Sequence, residues 1–211
     1  MKDGAAGHNP PPAPVAGEGG DVEVPSRDRE WGCVHGRFQP FHCGHLEYVL
    51  RARERCRRLV VGITNPDPSW IRAEAESAHR HEPEANPFGY LERSLMIRDS
   101  LLDEGLDLRD FAIVPFPIQD PGRCRYYVPD GTFHFVRAFS NWEREKVRRL
   151  RAEGFAVELL DPGGEKEISG TDVRRRMHLR LPWEHLVPPG TAAVAKQALA
   201  AHPGRMKGSA R

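Results

Sequence analysis

Apolar positions along the chain alternate between two periods. Trp31 to His35 is a short apolar run that stops at Gly36, which predicts a buried strand. After a polar, proline-containing turn, Leu46, Val49, Leu50 and Cys56 recur at near-helical spacing, and Leu59 to Thr64 is a continuous, largely β-branched run suited to a buried parallel strand. Asn65-Pro66-Asp67-Pro68 then leaves that strand with two prolines that forbid a ladder or helix, and a polar stretch to Glu84, with His79, Arg80 and His81, reads as a long loop. Asn86-Pro87 predicts an N-cap with proline in the first turn, and Leu91, Leu95, Leu101 and Leu102 the inner face of the next helix. Phe111 to Ile118 is a third strand, Phe133, Phe135 and Phe139 mark a fourth, and Phe155 to Leu160 is a fifth. Glu143 to Glu153, Thr171 to Met177 and Thr191 to Ala201 have the pattern of helices. Strands alternating with helices predict an α/β fold, a doubly wound parallel sheet of about five strands with helices on both faces.

Composition sets the boundaries of that domain. Residues 1–30 are rich in proline and glycine with almost no large apolar side chains, so burial cannot offset the entropy of ordering them, and a disordered tail is expected. Residues 31–202 form the expected globular domain, and 203–211 a flexible C-terminal tail. The 211 residues carry 31 Lys+Arg against 30 Asp+Glu, a formal charge of +1, which gives no global attraction to nucleic acid or membrane. No apolar run approaches the roughly 20 residues of a membrane span, and the N-terminus has no hydrophobic signal segment, so a cytoplasmic protein is expected. Irregular spacing of Cys33, Cys43, Cys56 and Cys124 favours reduced thiols. A homo-oligomer stays open.

The residues richest in chemistry lie between the first strand and the first helix, Gly36-Arg37-Phe38-Gln39-Pro40-Phe41-His42-Cys43-Gly44-His45. In an open α/β sheet this is a ligand position, at the carboxyl end of a strand and the positive end of a helix. The loop supplies a glycine, a guanidinium and two imidazoles, donors suited to phosphate oxygens whose charge grows as a phosphoanhydride breaks. Ser169 and Thr171 can cap a second helix and donate hydroxyls, with Arg174 facing the same ligand. A zinc cluster of Cys33, His35, His42, Cys43 and His45 is disfavoured, because no second Cys/His pair has finger-like spacing.

The first of these stretches resembles the nucleotidylyltransferase superfamily, whose mark is His-x-Gly-His, here His42-Cys43-Gly44-His45. Over its whole length it is similar to the archaeal-type nicotinamide mononucleotide adenylyltransferases, and Ile168 to Met177 resembles their Ser-x-Thr-x-x-Arg element. Further similarity runs through Asn86-Pro87-Phe88 to Glu92-Arg93 and Pro182 to Pro188, so it spans Trp31 to His202. It implies a Rossmann-like nucleotidylyltransferase fold, with His42, His45 and Arg174 catalytic. Gly36, Arg37, Phe38, Gln39, Gly44, Ser169, Gly170 and Thr171 would bind the nucleotide. The partners implied are a nucleoside triphosphate and a small anionic acceptor, with Mg²⁺ held mainly through triphosphate oxygens.

The chain departs from that family where the acceptor should lie. The adenylyltransferases follow the second strand with a segment similar to Gly-Ser-Ala-Gln and place a basic residue before the Asn/Asp-Pro-Phe turn. This chain has Thr64-Asn65-Pro66-Asp67-Pro68-Ser69-Trp70, and Ala85 before Asn86. A family tryptophan after the third strand is replaced by Gly122-Arg123-Cys124-Arg125-Tyr126-Tyr127. Trp70, Arg123, Arg125 and Tyr126 are the candidate acceptor contacts, the arginines suiting a small, highly anionic group. Related enzymes of actinobacterial phosphonate pathways look like cytidylyltransferases that join CMP to a phosphonate such as phosphonoformate, and this is the favoured reading. Ordinary adenylyl transfer to nicotinamide mononucleotide is the alternative, and a non-catalytic nucleotide-binding regulator the third.

Overall fold

The computed structural model describes residues 27–70, 82–139, 141–161 and 168–205. Five strands, β1 (Arg29–Gly36), β2 (Cys56–Thr64), β3 (Phe111–Phe116), β4 (Phe133–Arg137) and β5 (Ala156–Leu160), form one sheet of order β3-β2-β1-β4-β5. Every neighbouring pair is parallel. The helices are α1 (Cys43–Arg53), α2 (Tyr90–Asp103), α3 (Asn141–Ala152), α4 (Gly170–His178) and α5 (Pro189–Ala201). The doubly wound parallel sheet expected from the alternation is therefore present.

The central strands are sandwiched between two cores. One face buries Val34, Val61, Ile63 and Phe135 under α1, α2, α4 and α5; the other buries Cys33, Val60, Phe116 and Leu150 with α3 and the crossover after β3. Burial on both faces explains the unbroken apolar runs of β1 and β2. All four cysteines are free.

Local expectations fail where tertiary packing chooses between similar positions. Cys56, expected on the first helix, opens β2. Asn86 caps a 3₁₀ turn, Pro83–Ala85, while α2 starts after Gly89, whose N–H donates to Glu92 Oε2 at 2.8 Å. Leu91 and Leu102 are 68% and 40% exposed, so they are not its inner face; Met96, Ile97 and Leu101 are. Phe139 lies beyond β4 and is partly exposed. Most of the N-terminal tail (residues 1–26) lies outside the described residues, as do His79, Arg80 and His81. At the other end Arg205 pairs with Glu92 at 2.6 Å, and the rest of the expected C-terminal tail from residue 206 lies outside the described residues.

α5 lies directly on α2. A Cβ on Gly190 would stand 2.6 Å from the backbone of Asp99 and Ser100. Gly190→Ala is therefore expected to push α5 away at a cost of about 1–3 kcal/mol, since backbone cannot give way as a side chain can. Thermal melting should show a fall of several degrees; an unchanged midpoint would mean the two helices slide freely.

The second core holds two buried imidazoles. His35 stacks on Phe116 (4.7 Å) and lies 5.6 Å from His134, which meets Phe155 at 4.8 Å. Burial first, and then the charge of Lys146, pushes His134 down to about 4 and His35 well below its ordinary value. Each stays neutral in the folded protein and takes a proton near pH 6.5 once unfolded. Because the folded values are depressed, stability is fully present above about pH 6.5 and is lost as pH falls toward the folded values. The melting temperature should drop between pH 7 and pH 5, and His134→Phe should flatten that drop; an equal slope in the variant would remove His134 as its source.

Candidate active site

Chain order reverses between β1 and β4, so the ends of these two strands open a crevice at the switch point of the sheet. The loop after β1 enters it in a tight, fixed path. Phe38 has a left-handed backbone (φ 51°) and a fully buried ring, which leaves no room for a Cβ at Gly36, 2.8 Å from that ring. Gln39 is buried, and its amide is committed to structure: Nε2 donates to Phe88 O (2.8 Å) and Oε1 accepts from Phe88 N (3.0 Å). The side chain expected to contact nucleotide is thus engaged with the main chain of Phe88. Arg37 reaches Asn86 Oδ1 at 3.4 Å.

His42 is the N-cap of α1, and His45 lies one turn on. Their rings stack with centroids 3.6 Å apart. The backbone N–H of His42 donates to His45 Nδ1 at 3.3 Å, so in neutral His45 the ring proton sits on Nε2. Phe38 and Phe41 pack against the same ring at 5.0 and 5.9 Å and hold its orientation. The result is a preoriented imidazole donor beside first-turn amides that a helix leaves without internal acceptors.

A second helix start meets the first. Ser169 caps α4, its Oγ accepting from Asp172 N at 3.1 Å. A Cβ on Gly170 would stand 2.8 Å from the Gln39 carbonyl oxygen, so only glycine lets α4 approach this closely. Arg174 closes the contact: Nη1 donates to Gln39 O (2.6 Å) and Nη2 to Thr171 Oγ1 (3.1 Å). The start of α4, with its guanidinium and hydroxyls, is thus bound to the loop that leads into α1 and its imidazoles, and groups of these types are suited to phosphate oxygens. Among the described residues, no three His, Cys, Asp or Glu side chains converge to hold a metal ion. A hard cation such as Mg²⁺ takes oxygen ligands, which triphosphate would supply here.

The expected acceptor residues are placed differently. The segment after β3 crosses the back of the sheet, from an edge strand to the start of β4, burying Ile118, Cys124 and Val128 on the way. Arg125 Nε donates to Gly122 O (2.9 Å), and its guanidinium lies 3.6 Å from Glu153 Oε2. Glu153 belongs to the turn from α3 into β5, at the edge where strands begin, whereas His42 and His45 lie at the edge where they end. The crossover thus carries Arg125 toward the edge where strands begin. Arg123 pairs with Asp120 at 3.3 Å, and Tyr126 is 80% exposed on the same 3₁₀ turn (Pro121–Tyr126). Trp70 ends a 3₁₀ turn, Pro68–Trp70, on the loop after β2.

Two further arginines lie beside these loops. Arg137 ends β4 at the switch point, with Nη1 3.4 Å from Gly44 O and 3.3 Å from Glu47 Oε2. Arg93 is buried beneath the loops after β1 and β2, bonded to main-chain carbonyls of both. A charged residue on a helix's apolar stripe was the available signal for Arg93; Arg137 had only its place at the end of a phenylalanine-marked strand.

The fold and the paired helix starts define a nucleotide-handling α/β protein of the doubly wound class. The sequence profile of the cytidylyltransferase-like family matches residues 33–176, and the chain belongs to that family. It is 45% identical over 166 residues to the phosphonoformate cytidylyltransferase of Streptomyces viridochromogenes, covering 79% of this chain and 90% of that one. With the nicotinamide-nucleotide adenylyltransferase of Methanosarcina barkeri it shares 32% over 162 residues, 77% of this chain and 85% of that one. In fold it resembles a bifunctional NMN adenylyltransferase/ADP ribose pyrophosphatase from Francisella tularensis (TM-score 0.62, 16% identity), covering 85% of this chain and 52% of that one. The chain thus spans about half the length of that structural neighbour. No helix among the described residues is long and apolar enough to cross a membrane.

Proposed function

We propose that this chain transfers CMP from CTP to a small phosphonate such as phosphonoformate and releases pyrophosphate. The observation that carries this reading is the 45% identity to a phosphonoformate cytidylyltransferase, against 32% to an adenylyltransferase of similar coverage. The site supports the same chemistry. A phosphonate oxygen attacks the α-phosphorus in line, the bond from that phosphorus to the bridging oxygen breaks, and the electron pair leaves with pyrophosphate. His42 and His45 donate to the phosphate oxygens as charge grows, Arg174 with the Ser169–Thr171 helix start holds the β- and γ-phosphates, and no protein nucleophile takes part. Mg²⁺ carried by the triphosphate would neutralise part of that charge. The proposed nucleoside triphosphate donor is consistent with a reaction in the cytoplasm.

Pyrophosphate release tests the reading. Wild-type protein is mixed with Mg²⁺, CTP or ATP, and phosphonoformate or nicotinamide mononucleotide in all four pairings. CTP with phosphonoformate should be fastest. If ATP with nicotinamide mononucleotide wins, the chain is an adenylyltransferase; if no pairing releases pyrophosphate while CTP still binds, it is a nucleotide-binding regulator.

A further inference from the structure

The ends of β1 and β2 share one buried cation. Arg93, in the first turn of α2, is only 2% exposed. Its Nη1 donates to Arg37 O and Thr64 O, both at 2.9 Å, its Nη2 to Asn65 O at 2.8 Å and its Nε to Gly89 O at 3.3 Å. All four acceptors are neutral carbonyls, while the adjacent Glu92 is turned away to Gly89 N and Arg205. Burial lowers the guanidinium to about 10, the mark of a charge taken out of water without a carboxylate bonded to it. A methionine or leucine would fill an α2 core position at less cost, so the fan of donors needs another reason.

The acceptors supply one. Arg37 O precedes Phe38 and Asn65 O belongs to Asn65 itself, and these two residues are left-handed, with φ 51° and 50°. A phenylalanine takes that conformation only when its surroundings impose it, whereas an asparagine tolerates it. The two loops it creates leave neighbouring parallel strands toward the same crevice: one carries His42 and His45, the other runs from Asn65 to Trp70. Asn65 Oδ1 also accepts from Gln119, beyond the end of β3. One guanidinium therefore sets the separation of the donor-holding loop from the loop beside it.

We infer that Arg93 is a positioning residue for transfer: by holding loops 36–45 and 65–70 at fixed spacing, it brings the acceptor's attacking oxygen in line with the α-phosphorus. The inference rests on the transfer reading above and places the acceptor against the loop after β2. A misplacement of about 1 Å between reacting groups can cost about 10²-fold in rate without weakening either substrate's own binding.

Arg93→Lys and Arg93→Met test it. Lysine keeps the charge and can reach one or two carbonyls; methionine fills the space and bonds to none. kcat and both KM values are measured, together with amide hydrogen exchange of residues 37–42 and 64–70 in the absence of substrate. We expect kcat to fall at least about tenfold for lysine and about 10²-fold for methionine, with each KM changed less than about threefold. Both segments should exchange faster in step. A folded Arg93→Lys with wild-type kcat overturns the inference, as does a change confined to one KM or faster exchange in one segment only. Should the methionine variant not fold, the lysine variant decides alone. A wild-type protein that releases no pyrophosphate with any pairing refutes the transfer reading; the exchange data, which need no turnover, still decide whether Arg93 ties the two loops.

Discussion

His45→Ala is expected to lower kcat by roughly 10² to 10³, the scale of losing one preorganised donor to a developing negative charge. The structure says why the loss should fall on turnover. His45 is held by Phe38, Phe41 and the stacked His42 ring, and its Nδ1 accepts the His42 N–H, so its remaining N–H is aimed before substrate arrives. A donor fixed in this way has little to gain from ground-state triphosphate and more from charge that appears as the phosphoanhydride breaks. The donor KM should therefore change little. The ring also fills space beside Phe38, so a thermal midpoint lower by a few degrees is compatible with the expectation, whereas normal kcat in a folded variant removes His45 from the chemistry.

Arg174→Ala should act on the other parameter. Its guanidinium joins the Gln39 carbonyl at 2.6 Å to the Thr171 hydroxyl at 3.1 Å and carries positive charge at the start of α4. On the proposed reading that charge meets β- and γ-phosphates that are fully ionised before reaction begins, so its interaction would be spent largely on binding. Charge-assisted hydrogen bonds of about 1.5–3 kcal/mol correspond to a rise in donor KM of about tenfold to a hundredfold. Arg174→Lys should recover only part of this, because an ammonium cannot bridge carbonyl, hydroxyl and phosphate as a planar fork does. Steady-state kinetics with varied triphosphate checks both variants; a donor KM equal to wild type would mean that α4 does not face the triphosphate.

The acceptor is where reading along the chain and folding in space part company. Arg123 and Arg125 follow β3 in sequence, and a segment after a parallel strand starts at the crevice edge. In this sheet β3 is an edge strand and β4 lies beyond β2 and β1, so the connection must cross the back face and descend to the opposite edge. Arg125 consequently meets Glu153. Strand order, which no local pattern encodes, moved the residue. Leu91 and Leu102 show the same limit on a smaller scale: four leucines fit a helical stripe, but packing kept Leu101 and Leu95, left Leu91 and Leu102 exposed, and filled the buried face with Met96 and Ile97.

What the chain by itself determined is the set of strands and helices and the two motifs at helix starts. These are legible because strands buried on both faces must be apolar throughout, and because phosphate contact at a helix N-terminus demands glycine, hydroxyl and cationic residues within a few positions of one another. Only the tertiary structure decided how the motifs meet. Gly170 against the Gln39 carbonyl joins residues far apart in sequence, and Arg93 binds the ends of two strands through carbonyls that every residue possesses. Contacts to the main chain leave no signature in the identity of the residue that accepts them, so a buried donor and its purpose become visible only once the strands lie side by side.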